Sequence, residues 1–151
     1  MAAVEDVDQV LAQWHPASDE FLKGNPEPTQ KLFSHREDVT LANPYGPAAR
    51  EIGPVAHGWE QVAKTQEHAA SRVRDGEVVE IETIEKYVTA ELAYVVQIER
   101  VKAKVGRSED ITPFTLRVTM IYRPEGGTWK VVHRHADPIT TAQPAESVIQ
   151  D

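Results

Sequence analysis

Cysteine is absent from this chain of 151 residues, and no apolar run approaches the length that crosses a bilayer. The first absence excludes disulfide bonds, zinc sites built on thiolates and a cysteine nucleophile. The second argues against a membrane-spanning helix, which needs about 20 consecutive apolar residues.

Basic residues are in the minority, with 16 Lys and Arg against 24 Asp and Glu and a formal net charge of -8. They nowhere form a run longer than a pair. Nucleic acid and anionic membrane surfaces would be repelled by this charge, so neither is an expected partner. The first residues, MAAVEDVDQVLAQW, are acidic and amphipathic, unlike a signal peptide. We therefore expect a soluble, cytoplasmic protein.

Helical patterns dominate the first part of the chain. Four apolar residues recur at helical spacing: Val4, Val7, Leu11 and Trp14. They predict an amphipathic helix over about residues 3–15, which Pro16 should end or kink. Ser18 is a candidate N-cap for a second helix that stops at Gly24. A short third helix is predicted over 26–33.

A strand and a long loop follow. The alternation in DVTLAN predicts a strand ending near Asn43, and residues 44–58 then hold three prolines and three glycines. Connections of this length are often lids or binding loops in compact domains. Beyond them, the apolar spacing from Trp59 to about Val73 predicts a long helix.

The remainder of the chain is rich in β-branched residues and predicts three or four antiparallel strands. A change of parity near Thr83 predicts a β-bulge, and the segment PEGGT predicts a hairpin turn. This order predicts one α+β domain over 1–151, with a core at about 5–138 and a polar tail at 139–151. A curved antiparallel sheet should wrap around the long helix and leave an open, mainly apolar cavity, with residues 44–58 bordering its mouth.

Four segments carry a resemblance to a known superfamily. They are FLKGNPEPTQKLF, DVTLANPYGP, HGWEQV and LRVTMIYRPEGGTWKVVHRHADP, in the same order as in that superfamily. The chain resembles the nuclear transport factor 2-like superfamily, in its SnoaL-like and ketosteroid-isomerase-like branch, over about residues 5–138. The resemblance implies a cone-shaped, cystatin-like α+β fold. It also implies a homodimer formed through the open face of the sheet, for which Tyr94, Val96 and Ile98 are candidates.

Ketosteroid isomerases use an Asp base, with a Tyr and a protonated Asp as the oxyanion hole. Carried over by the resemblance, the base falls at Asn43, the Tyr near Ala17, and the protonated Asp near Val118 or Thr119. An amide cannot accept a proton at neutral pH. The resemblance therefore implies a retained pocket without the known isomerase mechanism.

His133 and His135 project from the same face of the last predicted strand. With a third ligand such as His57 or Asp137 they could hold zinc, but no third ligand stands at a telling spacing, so we expect neither a metal nor a cofactor. The other interpretations are an acid–base centre and two histidines hydrogen-bonded to their neighbours or at an interface.

Two registers of the last hairpin are compatible with the sequence. If Arg123 pairs with Trp129, then Arg117 and Thr119 share a polar face with the two histidines, and an apolar face comprises Leu116, Val118, Met120 and Val132. Arg134 then lies on the apolar face, where a cation needs a carboxylate or an anionic ligand. A slip of one residue instead places the histidines in the apolar row.

Four further candidates lie in or beside the long loop. Asn43 could orient a carbonyl or a water, and Tyr45 could donate a hydrogen bond or stack, although both also suit a chain reversal. His57 precedes the long helix, whose dipole favours the neutral imidazole that a base requires. Trp59 is a core anchor or a substrate contact.

These residues support a hypothesis of a SnoaL-like protein that binds a small hydrophobic or aromatic molecule. In its enzymatic form, an isomerase, cyclase or dehydratase without a cofactor, the catalytic residues are His135, His57 and Asn43. The substrate contacts are then Tyr45, Trp59, Arg117, Thr119, His133 and Arg134. That form requires Asn43, Arg117 and His135 to approach one cavity. The alternatives are a non-catalytic dimerisation or ligand-sensing module, and a metal-assisted hydrolase built on His133 and His135.

Overall fold

The computed structural model describes residues 6–44, 52–139 and 142–149. Within these residues, three helices lie before or between the strands of a sheet: α1 (Val7–Leu22), α2 (Glu27–Leu32) and α3 (Trp59–Ala70). The strands are β1 (Thr40–Ala42), β2 (Ala56–His57), β3 (Val73–Val88), β4 (Ala93–Val105), β5 (Thr112–Glu125) and β6 (Thr128–Pro138). A short 3-10 turn, Ala145–Val148, lies in the tail.

The six strands form one mixed sheet in the order β2-β1-β6-β5-β4-β3. Strands β3 to β6 pair antiparallel, whereas β1 runs parallel to β6. Helix α1 packs on β3, β4 and β6, and α3 packs on β1, β2 and β3. The fold is the expected α+β arrangement, in which the helices cover the inner face of an open sheet.

Helix α1 begins at Val7, where the Asp6 carboxylate accepts a hydrogen bond from the Asp8 amide and caps the helix. It then continues through Pro16, so the predictions that the helix ends there and that Ser18 caps a second helix were wrong. Pro16 is exposed, whereas Trp14 and Ser18 on either side of it are buried. Packing of this face outweighs the cost of about 3 kcal/mol for an interior proline.

The chain reverses at Gly24, whose φ of 97° is the left-handed conformation that ends helices. Its amide donates to the Phe21 carbonyl, and the helix stops at this glycine as the sequence predicted. The short helix α2 and the strand ending before Asn43 also agree with prediction. Helix α3 ends at Ala70, three residues earlier than expected, because Val73 already belongs to β3.

Strand irregularities bend the sheet. Strand β3 shifts register at three places against β4, one of them between Thr83 and Glu85, where the sequence predicted a bulge. Gly76 lies at another, and a Cβ there would meet the Lys102 carbonyl oxygen at 2.5 Å and the Leu22 Cβ at 2.9 Å. The close approach of α1 to β3 and β4 therefore requires glycine at this position.

Strand β6 carries a further bulge at Val132. Tyr122 pairs with Val131 and Ile121 pairs with His133, so Val132 has no opposite residue. The bulge reverses the parity of the strand, because Trp129 and Val131 face the core before it and Arg134 and Ala136 face the core after it.

The core lies between the inner sheet face and the helices. Its largest buried side chains include Tyr122, Phe33 and Met120, with Trp14 and Trp129 close to fully buried. Among the described helices, none combines the length and apolar character needed to cross a membrane.

Candidate functional site

A cavity opens between the helices and the inner face of the sheet. Its volume is about 80 Å³. Its lining is mainly apolar and includes Trp14, Phe21 and Leu22 of α1, Phe33 after α2, Leu41 of β1, Ala69 of α3, and Val101, Phe114, Leu116 and Ala136 of the sheet. A concave, largely apolar space with few polar groups is typical of small-molecule sites.

An ion pair of Glu99 and Arg134 forms the charged centre of the cavity wall. The Arg134 guanidinium donates to both Glu99 carboxylate oxygens, each at 2.9 Å. The side chain of Glu99 is 4% exposed and that of Arg134 is 13% exposed, so the pair is almost withdrawn from water. A two-pronged geometry of this kind is the strongest that arginine and a carboxylate can adopt.

Neighbouring side chains complete the coordination of Glu99. Trp14 Nε1 donates to Glu99 Oε2 at 2.9 Å, and Gln97 Nε2 donates to the same oxygen at 2.7 Å. The Arg134 guanidinium also lies over the Trp14 ring, 4.9 Å from its centroid, in a cation–π contact. Trp14 thus holds both members of the pair.

These contacts keep Glu99 ionised. Burial alone would raise its pKa, but the charge and hydrogen bonds of Arg134, with those of Gln97 and Trp14, hold the pKa below its ordinary value. The nearby Tyr122 hydroxyl is buried, and its pKa is raised, chiefly by burial. Neither group can take up a proton at neutral pH.

Gln66 supplies the second polar feature of the wall. It lies on α3, is 4% exposed and lines the cavity. Within the described part of the chain, its Oε1 atom has no hydrogen-bond donor. A buried acceptor without a partner is uncommon in native proteins.

The mouth of the cavity lies at the end of β1. Asn43 and Pro44 line the cavity there, and Asn43 is half-buried. The sequence had placed Asn43 at such a mouth. Tyr45, its predicted companion, lies outside the described residues, as do residues 46–51.

The two histidines of β6 face away from the cavity. His135 is exposed and lies in a second concavity on the outer face with Arg117, Thr119 and Asp137. His133 is half-buried, its Nδ1 is 2.8 Å from the Thr40 hydroxyl, and burial lowers its pKa. Their ring centroids are 6.4 Å apart, edge to face.

The predicted grouping of these polar side chains is confirmed, but the predicted pairing is not. His133, His135, Arg117 and Thr119 share one face, as the first of the two registers implied. However, Arg117 pairs with Asp137 and donates to its carboxylate, and Thr119 pairs with His135. The bulge at Val132 accounts for part of the shift, and it places Val131 rather than Val132 in the apolar face.

His57 and Trp59 flank the start of α3 without entering the cavity lining. His57 is exposed, and its backbone amide donates to Gln61 Oε1 at 3.0 Å. Trp59 is half-buried and stacks on the His35 ring at 3.7 Å between centroids. Its observed role is packing against the core.

The comparisons with known proteins now identify the family. The SnoaL-like domain model matches residues 7–140. The chain belongs to the SnoaL-like domain family. No curated protein shows significant sequence similarity to it.

Solved structures share the fold of this SnoaL-like domain at low sequence identity. A nuclear transport factor 2-like superfamily protein from Salmonella enterica has a TM-score of 0.71 and 14% identity, with 93% of each chain covered. A ketosteroid isomerase-like protein from Erwinia carotovora atroseptica has a TM-score of 0.69 and 16% identity over 89% of this chain and 94% of that one. A proposed dehydratase of the same superfamily from Streptomyces avermitilis has the same TM-score and identity, over 89% and 95%.

In this SnoaL-like domain, the three residues that the enzymatic hypothesis required at one cavity are separated. Asn43 lines the cavity, but Arg117 and His135 project from the opposite side of the sheet. The reason is strand alternation, because Arg134 faces inward to meet Glu99 and its neighbour His135 must then face outward. Among the six candidate substrate contacts, only Arg134 lies in the cavity wall within the described residues.

Sequence reasoning missed Glu99, Gln66 and Trp14 as site residues, although a signal existed for Glu99. Arg134 was expected to need a carboxylate. Strand β4 alternates, and Tyr94, Val96 and Ile98 were assigned to the outer face, where the structure places them. That assignment turns Glu99 inward. Gln66 carried no signal, because a glutamine on a helix is ordinarily exposed.

Within the described residues, no three His, Asp or Glu side chains lie close enough to hold a metal ion. The pair on β6 has Arg117 and Thr119 beside it, and Asp137 on the same face accepts a hydrogen bond from Arg117.

Proposed function

We propose that this SnoaL-like domain binds a small, mainly apolar molecule in the cavity between its helices and sheet. The carrying observation is the open space walled by Trp14, Phe33 and Phe114 around buried polar groups that are already fixed in position. Aromatic and aliphatic walls bury the surface of an apolar ligand, and a few polar atoms held in fixed positions orient it.

Binding without acid–base chemistry is the form that the geometry favours. Among the described residues lining the cavity, the ionisable side chains are Glu99 and Arg134, and each is committed to the other. A general base must be able to accept a proton near neutral pH, and the lowered pKa of Glu99 opposes this. An isomerase, cyclase or dehydratase activity would need a proton acceptor from elsewhere, so we favour a ligand-binding or ligand-sensing role.

The proposal is tested by titrating the purified protein with naphthalene-sized aromatic molecules and following tryptophan fluorescence or binding heat. Ala136 lines the cavity and is 3% exposed, so Ala136→Phe fills part of the space. We expect this variant to bind about tenfold more weakly or worse, a loss of about 1.4 kcal/mol. Ala12 is exposed on the solvent side of α1, and Ala12→Phe is the matched control with unchanged affinity. Equal affinity of both variants for the probe would contradict the proposal.

We also infer that two copies pair through the outer face of the sheet. Tyr94, Val96 and Ile98 form a half-buried apolar row there, next to Ile84 and Ile139, which are 53% and 43% exposed. Sedimentation equilibrium should give a dimer, and Ile98→Asp should give a monomer. Ile111→Asp, at a position 49% exposed outside this row, is the control that should remain dimeric. A monomeric wild-type protein at micromolar concentration would contradict the inference.

A further inference from the structure

Both histidines of β6 lie in the same cross-strand rows as the apolar residues of the outer face. Counting across β5 to β4, His133 is two strands away from Tyr94, and His135 is two strands away from Val96. Neighbouring strands are about 4.8 Å apart, so the backbone of each histidine lies about 10 Å from the apolar residue of its row. His135 also lines one concavity together with Val96 and Ile98. A second copy that covers the apolar row therefore covers both histidines.

Pairing of two copies about a twofold axis doubles this arrangement. Such an interface uses the same patch of both copies, so four imidazole rings enter it. In each copy, the ring centroids of His133 and His135 are 6.4 Å apart. A neutral His133 ring is compatible with burial, because its Nδ1 atom lies 2.8 Å from the Thr40 hydroxyl. Protonation would instead place like charges side by side in a space closed to water.

The charged neighbours of the two rings offer no compensation for such charges. Asp137 on β6 accepts a hydrogen bond from Arg117, and Asp38 before β1 accepts two from Arg123, at 2.7 and 2.9 Å. His57 on β2 is a further basic group on this side of the sheet edge. Among the described residues around the rings, the nearby carboxylates are therefore already held by arginines.

The strands beyond β5 add no closer carboxylate. Along the row of His135, the acidic residue is Glu85 on β3, three strands away. Burial lowers the pKa of His133, and a charge on His135 lowers it further. The single chain thus already disfavours protonation of this ring, and the further loss of water in a pair of chains strengthens that effect.

We propose that the His133–His135 pair makes self-association dependent on pH, so that two copies pair while the rings are neutral and separate when the rings are protonated. This inference rests on the proposed pairing through the outer face and names its regulation. A neutral imidazole can be buried with its hydrogen bond, whereas burial of an imidazolium without a counter-ion is far more costly.

The test measures the dissociation constant by sedimentation equilibrium at about pH 7.5 and about pH 5.5, on either side of the ordinary imidazole pKa. If one ring per chain stays neutral in the pair, two protons are released on association, and association weakens about a hundredfold between these two pH values. We expect a weakening of this size or more, at constant ionic strength and with an unchanged far-UV circular dichroism spectrum.

The variant His133→Asn/His135→Asn removes both titrating groups and keeps neutral polar side chains. It should associate at about pH 7.5, and its dissociation constant should change by less than about threefold at about pH 5.5. His15 is exposed on α1, so His15→Gln is the matched control and should keep the full pH dependence of the wild type. A pH dependence that the double variant retains would belong to other groups and would overturn this inference.

A second measurement uses the wild type and decides the matter even if the double variant does not fold. By NMR, the His133 imidazole should take up its proton at lower pH in a sample well above the dissociation constant than in one well below it. Ile98→Asp, the expected monomer, should show no such difference. Equal titration curves at both concentrations, a dimer that is insensitive to pH, or stronger association in acid would overturn this inference while leaving the pairing intact. A wild-type protein that is monomeric at both pH values would overturn both.

Discussion

Removing the cation from the buried ion pair gives the sharpest test of the site's electrostatics. In Arg134→Met, Glu99 keeps the hydrogen bonds from Trp14 and Gln97 but loses its counter-ion. Breaking a buried pair by removing one partner typically costs about 3–5 kcal/mol. A domain of this size has a total stability of about 5–15 kcal/mol, so we expect a large fall in the urea midpoint at pH 7 with an unchanged m-value.

The pH dependence of the loss has a defined sign. In the wild type, the folded pKa of Glu99 lies below its unfolded value, so the contribution of the pair is present above the unfolded pKa and is lost as the pH falls through the folded pKa. In Arg134→Met, burial without the cation should raise the folded pKa above the unfolded one. The destabilisation of the variant then grows as the pH rises from the unfolded towards the folded pKa of Glu99. The difference in unfolding free energy between the wild type and Arg134→Met should therefore become smaller as the pH falls towards about 4.5.

A double-mutant cycle separates this charge effect from simple loss of packing. Glu99→Gln/Arg134→Met removes both charges and keeps an acceptor for the Trp14 indole. We expect the double variant to be more stable than Arg134→Met by about 2 kcal/mol, because it buries no unpaired charge. Arg117→Met, at an arginine on the outer face that is 67% exposed, is the control and should leave the midpoint nearly unchanged. Additivity of the two single changes within about 0.5 kcal/mol would refute the coupling.

Three further predictions concern other parts of the fold. Gly76→Ala should destabilise the protein by about 1–3 kcal/mol, because its Cβ would overlap the Lys102 carbonyl; Gly53→Ala, where a Cβ meets nothing within 4 Å, should have little effect in the same urea titration. Tyr122→Phe removes a buried hydroxyl without a partner among the described residues, so thermal unfolding should show unchanged or higher stability, by up to about 1 kcal/mol, and a clear loss would show that the hydroxyl is hydrogen-bonded. His133 should titrate below the ordinary imidazole range by NMR, because burial lowers its pKa. Since the unfolded chain then binds the proton more readily, stability should fall as the pH drops through the unfolded imidazole pKa, and His133→Asn should reduce this loss.

The sequence predicted the elements and the faces better than the contacts across them. The alternation of β4 placed Tyr94, Val96 and Ile98 outward, and the demand of Arg134 for a carboxylate was foreseen. The identity of that carboxylate was not, because the pairing of β4 with β5 and of β5 with β6 brings together residues 35 positions apart. Periodicity within one strand carries no information on such a distance.

The failed grouping of Asn43 with Arg117 and His135 has the same origin. All three lie near the β1–β6–β5 region, since Ala42 pairs with His135. The two faces of a sheet are nevertheless separate environments, and alternation assigned these residues to different ones. Helix α1 was misjudged for a different reason, since tertiary packing on both sides of Pro16 overrode a local preference.

The unpaired Val132 determines which chemistry the cavity holds. The orientation of every residue from His133 to Asp137 depends on that inserted residue. Deleting Val132 would turn the side chains of His133, His135 and Asp137 towards the cavity and would turn Arg134 towards solvent. A one-residue deletion in the last hairpin would thus line the cavity with side chains that titrate near neutral pH, without changing the fold. Comparisons of family members should therefore align this strand by its bulge before equating any pair of side chains.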